Sequence, residues 1–456
     1  MQGSVKNRKF PVKNVVLFAL IFLTIAQIGE LWFGSAVYRS SLFSFFKSNT
    51  AAANTDVTAL KTPGRIITNI GADRFTIYYN DLYLRPQKSA ADAAISKLLS
   101  RAEYVDTKPL DYRAVFGSKS IIYDYGCQIP LEVFAESFGG AKSAFGQRHQ
   151  SFEFLVIIPG LTEFESTRFL FVDEIDGVYA EYTSNTGQNM AIEAAIASAD
   201  ADESAMAYFG SKLSAYDFAD KNVFIPNWNG ERYKTPALEV LNPYAENGNV
   251  LMSSVDKKID MFFPNPASKL PSQAGSVYTY SSEYIVVKYY PDGILEYSNY
   301  RAPSTDTDDT FITAYLTALA FAARDTNIGN EYYLADYTFE NDIWQLSFDY
   351  AIADLPVFSA DRHAIEVSVS NGTVVEYSKI TDVFAADEIR STSAIKKIQE
   401  IENQLPAVTE SGQLFVDIKL GYKSEEASKS ATSADTYELY WQIILEKSTI
   451  YTFAMH

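Results

Sequence analysis

The sequence predicts an α+β fold: a single N-terminal transmembrane helix followed by tandem domains of antiparallel sheet packed with helices. Three observations predict it. The chain has 456 residues, 47% of them hydrophobic, which is enough for two or three cored domains and too apolar for disorder. One long apolar run, at 15–28, follows a basic cluster. Beyond residue 63, short runs rich in Ile, Val, Tyr and Phe alternate with fewer helical stretches, and 31 tyrosines suit pleated, half-exposed surfaces.

Composition excludes several function classes. Net charge is −19, and removing the first 34 residues, with Lys6, Arg8, Lys9, Lys13 and Glu30, leaves 34 basic against 56 acidic residues, or −22. Such a body repels DNA, RNA and anionic wall polymers, because affinity for phosphate chains comes from Lys and Arg displacing counterions. The single Cys127 excludes an internal disulfide, and His149, His363 and His456 with one thiol leave little material for zinc, haem or iron–sulfur ligation. No cofactor is expected.

The N-terminal elements come first. Residues 1–14 form a basic tail, and 15–34 begin VVLFALIFLTIAQI and end with Gly29, Glu30, Leu31, Trp32, Phe33 and Gly34. A signal peptide would place a small-x-small cleavage site close behind the apolar run. Gly34-Ser35-Ala36 is a poor one, and Ala51-Ala52-Ala53 lies far beyond. An anchor needs roughly 20 apolar residues, which Val15 to Phe33 nearly supply with Trp32 and Phe33 in the interfacial belt. The uncleaved anchor is the favoured reading, with the basic tail in the cytoplasm and everything after about residue 35 outside. Leu20, Leu23, Gln27, Glu30 and Gly34 share one helical face, so the two polar side chains can bond a neighbouring transmembrane helix. The plainer reading of Glu30, that it reaches the headgroups from the last turn, stands beside this one.

Residues 35–62 lack sustained periodicity and read as a membrane-proximal spacer. Three units follow at 63–250, 251–385 and 386–456, with linkers expected near 235–250 and 380–387. In the first, strands are expected at RIITNIG, FTIYYNDLYL, SIIYDY, FEFLVIIPG and TRFLFVDEI. Apolar spacing predicts helices at 88–102, at 130–139 between Pro130 and Gly139, and at 187–216 with a break near Asp200 to Glu203. In the second, the stripe Ile312, Tyr315, Leu316, Leu319, Ala322 and Ala323 predicts a helix at 308–324 behind Asp308 and Asp309. In the third, Ile395, Ile398, Ile401 and Leu405 predict a helix at 387–405. Each of the last two helices precedes strand runs, which reads as a helix packed on an antiparallel sheet. Three hairpins, DGVYAEY (176–182), DGILEY (292–297) and NGTVVEY (371–377), place Asp-Gly or Asn-Gly turns before strands ending in Glu-Tyr. The middle copy is one residue shorter, so a bulge is needed to keep its Glu-Tyr on the same face. Residues 423–436 read as an exposed hairpin loop.

A search for chemistry yields little. No phosphate loop, His-Glu-x-x-His helix or Gly-x-Ser-x-Gly elbow is present. The three histidines sit in polar or terminal settings, and Cys127 in YDYGCQIP reads as a small buried hydrophobe. A glycan hydrolase needs only two facing acids. The densest acidic groups are Asp306, Asp308, Asp309 and Asp200, Asp202, Glu203; the first is more simply a helix start and the second a solvated helix break. Neither has the spacing of a calcium loop.

At 255–303 the stretch VDKKIDMFFPNPASKL, then YTYSSEYIVVKYYPDGILEYSNY, resembles the YycH family, in which an apolar-aromatic segment leads through a hairpin to a Leu-Glu-Tyr-Ser-Asn-like strand. The family's outline is also similar: a basic start, one transmembrane helix, a spacer and a large exported α+β body. The resemblance implies C-terminal units like those of YycI and the PepSY module, with a PepSY-like inhibitor or chaperone of an exported enzyme as an alternative beside the anchored glycan hydrolase. It further implies a non-enzymatic regulator beside a WalK (YycG)-type sensor histidine kinase of Gram-positive bacteria, with a possible YycI-like second partner, acting on control of cell-wall metabolism. On this reading the contact residues in the bilayer are Leu20, Leu23, Gln27, Glu30 and Trp32.

Overall fold

The computed structural model describes residues 63–78, 81–140, 145, 151–200, 206–209, 224–226, 236–246, 249–301, 310–325, 331–352, 355–359, 362–391, 415–424, 436–445 and 448–453. Residues 1–62 lie outside that set, and with them the expected transmembrane helix and spacer. The described residues form a sheet-rich α+β fold with antiparallel sheets and few helices.

The N-terminal sheet has nine strands among the described residues. Their spatial order is Glu103–Pro109, Val178–Ser184, Thr167–Asp173, Ser151–Ile158, Ser120–Pro130, Arg65–Gly71, Arg74–Tyr78, Met206–Phe209 and Phe224–Pro226, all paired antiparallel. Arg65–Gly71 is β-branched and buried on both faces, which fits its position inside the sheet. One face carries the helices Asp81–Arg101, Leu131–Ser137 and Asn189–Asp200. Tyr123 on that face donates to Asp92 Oδ1 at 2.7 Å, and Phe134 packs edge-on against Phe171 and Phe152. The opposite face meets Phe116 of the short helix Tyr112–Phe116, stacked edge-to-face on Phe154 and Phe224.

The middle sheet runs Leu270–Ala274, Val277–Ser282, Ile285–Tyr290, Ile294–Asn299, Thr373–Ile380, Ile365–Ser370, Ile343–Ile352, Glu331–Glu340, with Leu355–Pro356 added beside Ile343–Ile352. The helix Phe311–Ala322 covers it, burying Phe311, Ala314, Tyr315, Ala318, Phe321 and Ala322. Phe321, Phe262, Tyr297 and Tyr377 form one aromatic cluster beneath that helix. The third sheet combines Val383–Ser391, Pro236–Leu241, Thr436–Leu445, Phe415–Ser424 and Ser448–Phe453.

The three Gly-containing turns close hairpins as their sequences require, with connections of decreasing length. Asp173 pairs with Val178, Tyr290 with Ile294, and Ser370 with Thr373. Tyr182, Tyr297 and Tyr377 all point into cores, and Tyr297 lies directly opposite Tyr377 in the middle sheet. The middle hairpin pairs without a register shift, so the bulge expected there is absent; the shift lies instead between Ser368 and Val369, opposite the longer third copy, where Glu376 and Val374 are their partners.

Several elements differ from the sequence reading. The strand beginning FTIYY ends at Tyr78, and Asp81 opens a helix that runs through Pro86 to Arg101, seven residues ahead of the expected start. The Ala-rich helix stops at Asp200, and within its expected continuation Met206–Phe209 is a strand paired with Arg74–Tyr78, because completing the sheet outweighs the helix preference of Met and Ala; 201–205 and 210–216 lie outside the described residues. The Phe311–Ala322 helix is capped by Thr310, whose hydroxyl accepts from the Thr313 amide. Residues 387–391, expected to start the last helix, end the strand Val383–Ser391. That strand pairs with Pro236–Leu241, which lies inside the segment expected to be a linker. Local periodicity carries no sign of a pairing between segments about 150 residues apart. Residues 392–414, with the rest of the expected final helix, and 425–435, the expected loop, lie outside the described residues.

Candidate functional site

The five residues expected to meet the bilayer and a partner, Leu20, Leu23, Gln27, Glu30 and Trp32, lie outside the described residues. Among the described residues no helix is long and apolar enough to cross a membrane. Inside the described body the charged residues that sequence reasoning left aside are the ones the fold brings together.

The first group joins the N-terminal sheet to the third sheet. Arg65, buried on Arg65–Gly71, places Nε 2.5 Å from Asp124 Oδ2 on the neighbouring strand and Nη2 3.5 Å from Asp417 Oδ1 on Phe415–Ser424. Asp417 in turn lies 3.4 Å from Lys419 Nζ. Burial pushes the Asp417 carboxyl up, but Arg65 and Lys419 outweigh it and hold the group below its ordinary value. Burial likewise disfavours the Lys419 ammonium, yet Asp417 outweighs it and the pKa rises.

The same strand takes a backbone contact from the middle sheet. Val357 forms a parallel bridge with Tyr422, and the Phe358 amide donates to the Tyr422 carbonyl at 2.7 Å. The approach depends on Gly421. A Cβ there would collide with the Pro356 carbonyl oxygen and sit 2.7 Å from two ring carbons of Phe358. Phe415–Ser424 is therefore held from both sides, by a charged network and by a backbone clasp.

The second group lies within the middle unit. Lys379 is 1% exposed and its Nζ is 2.5 Å from Oδ2 of the equally buried Asp325, just past the end of the Phe311–Ala322 helix. Lys379 also lies over the Tyr244 ring, and Tyr244 stacks on Tyr289 with ring centroids 4.9 Å apart. Burial lowers the Lys379 pKa, with Asp325 opposing. A sequence signal for this site existed. Strand alternation puts Lys379 on the same face as Tyr377, so a lysine stands where the pattern calls for a core residue.

The residues weighed for chemistry, and the buried Glu181 beside them, have ordinary structural surroundings. Cys127 is buried, its Sγ 3.8 Å from the Leu334 carbonyl, and burial drives its thiol far up, the reverse of an activated nucleophile. His363 Nδ1 lies 3.0 Å from Asp349 Oδ1, and that bond raises its pKa. Burial pushes Glu181 up, but Arg168 at 2.7 Å and Lys108 at 3.1 Å bring it below its ordinary value, whereas a general acid needs the opposite shift. Asp200 pairs with Arg74 at 2.9 Å. Among the described residues no group of three or more His, Cys, Asp or Glu could hold a metal ion. His149, His456, Asp202, Glu203, Asp306, Asp308 and Asp309 lie outside them.

No family model matches the sequence, and no curated protein does. Solved structures do match. The crystal structure of YycH from Bacillus subtilis aligns with a TM-score of 0.58 at 11% identity, covering 87% of this chain and 96% of that one. The fold is YycH-like. A second structure, an uncharacterized protein from Eubacterium rectale, aligns over 50% of this chain and 87% of its own at 10% identity, with a TM-score of 0.32.

Proposed function

We propose that this chain is a non-enzymatic regulator of a WalK (YycG)-type sensor histidine kinase in a Gram-positive bacterium, within a two-component system that controls cell-wall metabolism. The observation that carries the reading is the YycH-like fold shared over nearly the whole length of both chains. In this proposal residues 1–14 are cytoplasmic, 15–34 cross the cell membrane, and the sheet-rich body stands outside. The kinase is the partner, with a YycI-like protein as a second one, and the C-terminal unit is read as PepSY- and YycI-like. Contact is made through the bilayer by Leu20, Leu23, Gln27 and Glu30, with Trp32 at the interface.

The physics of such a regulator is simple. Binding shifts the kinase between signalling states only by as much as the contact differs in free energy between them. Polar side chains inside a membrane suit that task, because a hydrogen bond formed in one helix arrangement and lost in another is not replaced by water. Replacing Gln27 and Glu30 together by Leu is expected to change kinase-dependent reporter output by about 5-fold or more, the lower end of ordinary coupling energies. The same variant is expected to reduce co-purification of the kinase. Unchanged values of both would discard the helix contact. The described carboxylates do not favour the glycan-hydrolase reading: the buried acids Asp124, Glu181 and Asp325 are held by cations, and Asp173 by Gln128 and the Ile175 and Asp176 amides.

A further inference from the structure

The most exposed large apolar side chains of the described body lie in one short loop. Leu161 is 91% and Phe164 89% exposed, on the connection 159–166 between Ser151–Ile158 and Thr167–Asp173. Met190, at the start of the Asn189–Asp200 helix, is 63% exposed and adjoins them, its amide donating to Glu163 Oε2 at 2.8 Å.

The loop is held rigidly in this shape. Asn189 is buried and its side-chain amide is used on every side. Oδ1 accepts from the Gly160 amide at 3.0 Å and the Thr167 hydroxyl at 2.8 Å, while Nδ2 donates to the carbonyls of Thr162 at 2.7 Å and Glu165 at 2.8 Å. Glu165 Oε2 accepts from the Leu161 amide at 2.9 Å. Gly160 is required for the closure, since a Cβ there would lie 2.6 Å from Glu165 Cβ. Folding has already met the entropic cost of ordering this backbone, the condition under which exposed aromatic and aliphatic side chains bind tightly. Glu165 serves the loop's own Leu161 amide and Glu163 the Met190 amide at the start of the neighbouring helix, so both brace the shape and keep their charge at its rim.

Charge selects the occupant. Glu163 and Glu165 flank the apolar tip, and no Lys or Arg occurs in 159–167 or 187–200; Arg168, the next residue, is held by Glu181 at 2.7 Å. A loop that dips into an anionic lipid surface needs basic residues, and a second copy of this acidic body would meet it with like charge. The geometry points to 159–166 as a preformed docking tip that seats Phe164 and Leu161 in an apolar pocket rimmed by Lys or Arg on the extracytoplasmic part of the partner kinase. This deepens the proposed function and rests on it. The tip is a second contact, separate from the one in the bilayer.

The test uses the full chain and the full-length kinase, co-reconstituted in vesicles of phosphatidylcholine and phosphatidylglycerol. L161S/F164S alters side chains that bury almost nothing, so its unfolding midpoint is expected to match the parent. Kinase binding is expected to weaken about tenfold or more, with the remainder supplied by the helix, and parental binding is expected to fall as salt is raised. Against the parental chain, whose Trp32 accounts for quenching at the membrane, the added emission of the indole in F164W is expected to shift to the blue when kinase is present and to be untouched by brominated lipid. Unchanged affinity of L161S/F164S overturns the tip while leaving the regulatory reading in place. Quenching of that indole by brominated lipid overturns it in favour of a membrane contact. Failure of the parental chain to bind the kinase overturns both.

Discussion

Replacing Asp325 by Asn is expected to destabilise the body by about 3–5 kcal/mol, the usual cost of leaving one member of a buried ion pair without its counter-charge. Lys379 is 1% exposed at the centre of the middle sheet, and Asp325 is the group that raises its pKa against the lowering effect of burial. Without the carboxylate, the folded-state pKa of Lys379 drops further below its unfolded value of 10.5. The folded variant then binds fewer protons than its unfolded chain, so its stability rises with pH within that window. The deficit is expected to be large at neutral pH and to shrink toward pH 10, read from denaturant midpoints across pH. Asp325→Leu combined with Lys379→Met is expected to recover most of the loss, since a well-packed apolar pair avoids the desolvation of both charges. A neutral single variant, or a deficit independent of pH, would show that the pair is not buried as described.

Gly421→Ala is the second large effect. The added methyl meets the Pro356 carbonyl, and backbone has no rotamer by which to retreat. The expected loss is about 1–3 kcal/mol, with faster hydrogen exchange at the Phe358 amide, which bonds Tyr422 across the clasp. Amides of Ser151–Ile158, inside the N-terminal sheet, are expected to keep their protection. If exchange at Phe358 stays at the parental rate, Phe415–Ser424 is not gripped from the middle sheet in the way the contact implies.

The fold class was legible because its signals are local. Alternating Ile, Val, Tyr and Phe runs mark strands, and Asn371-Gly372 or Asp292-Gly293 marks a turn whatever lies elsewhere in the chain. The Phe311–Ala322 helix was legible as a helix, but its buried face of Phe311, Ala314, Tyr315, Ala318, Phe321 and Ala322 is turned from the expected stripe, of which Ile312, Leu316 and Leu319 are half-buried and Ala323 exposed. What stayed hidden was non-local. Pro236–Leu241 reads as a linker until Val383–Ser391 is placed beside it, and Met206–Phe209 reads as helix until Arg74–Tyr78 offers it a ladder. The charged groups at the junction were hidden too: Arg65, Asp124 and Asp417 look like ordinary solvated charges, and only the meeting of two sheets makes them a network. Lys379 is the exception, since strand alternation alone sets it on a core face. The tip formed by Leu161 and Phe164 gave no sign in the sequence, because apolar letters in a short loop read as buried until its closure by Asn189 is seen.

The account turns on a helix at 15–34 that stays in the bilayer and touches a kinase helix along one face. Photo-crosslinking residues placed singly at Leu20, Leu23, Gln27 and Glu30, and on the opposite face at Phe18, Phe22 and Ile25, test this most directly in native membranes. The account predicts capture of the sensor kinase from the first set and not from the second. Equal capture from both faces, capture of no kinase, or recovery of a released product that begins beyond Phe33 would contradict it.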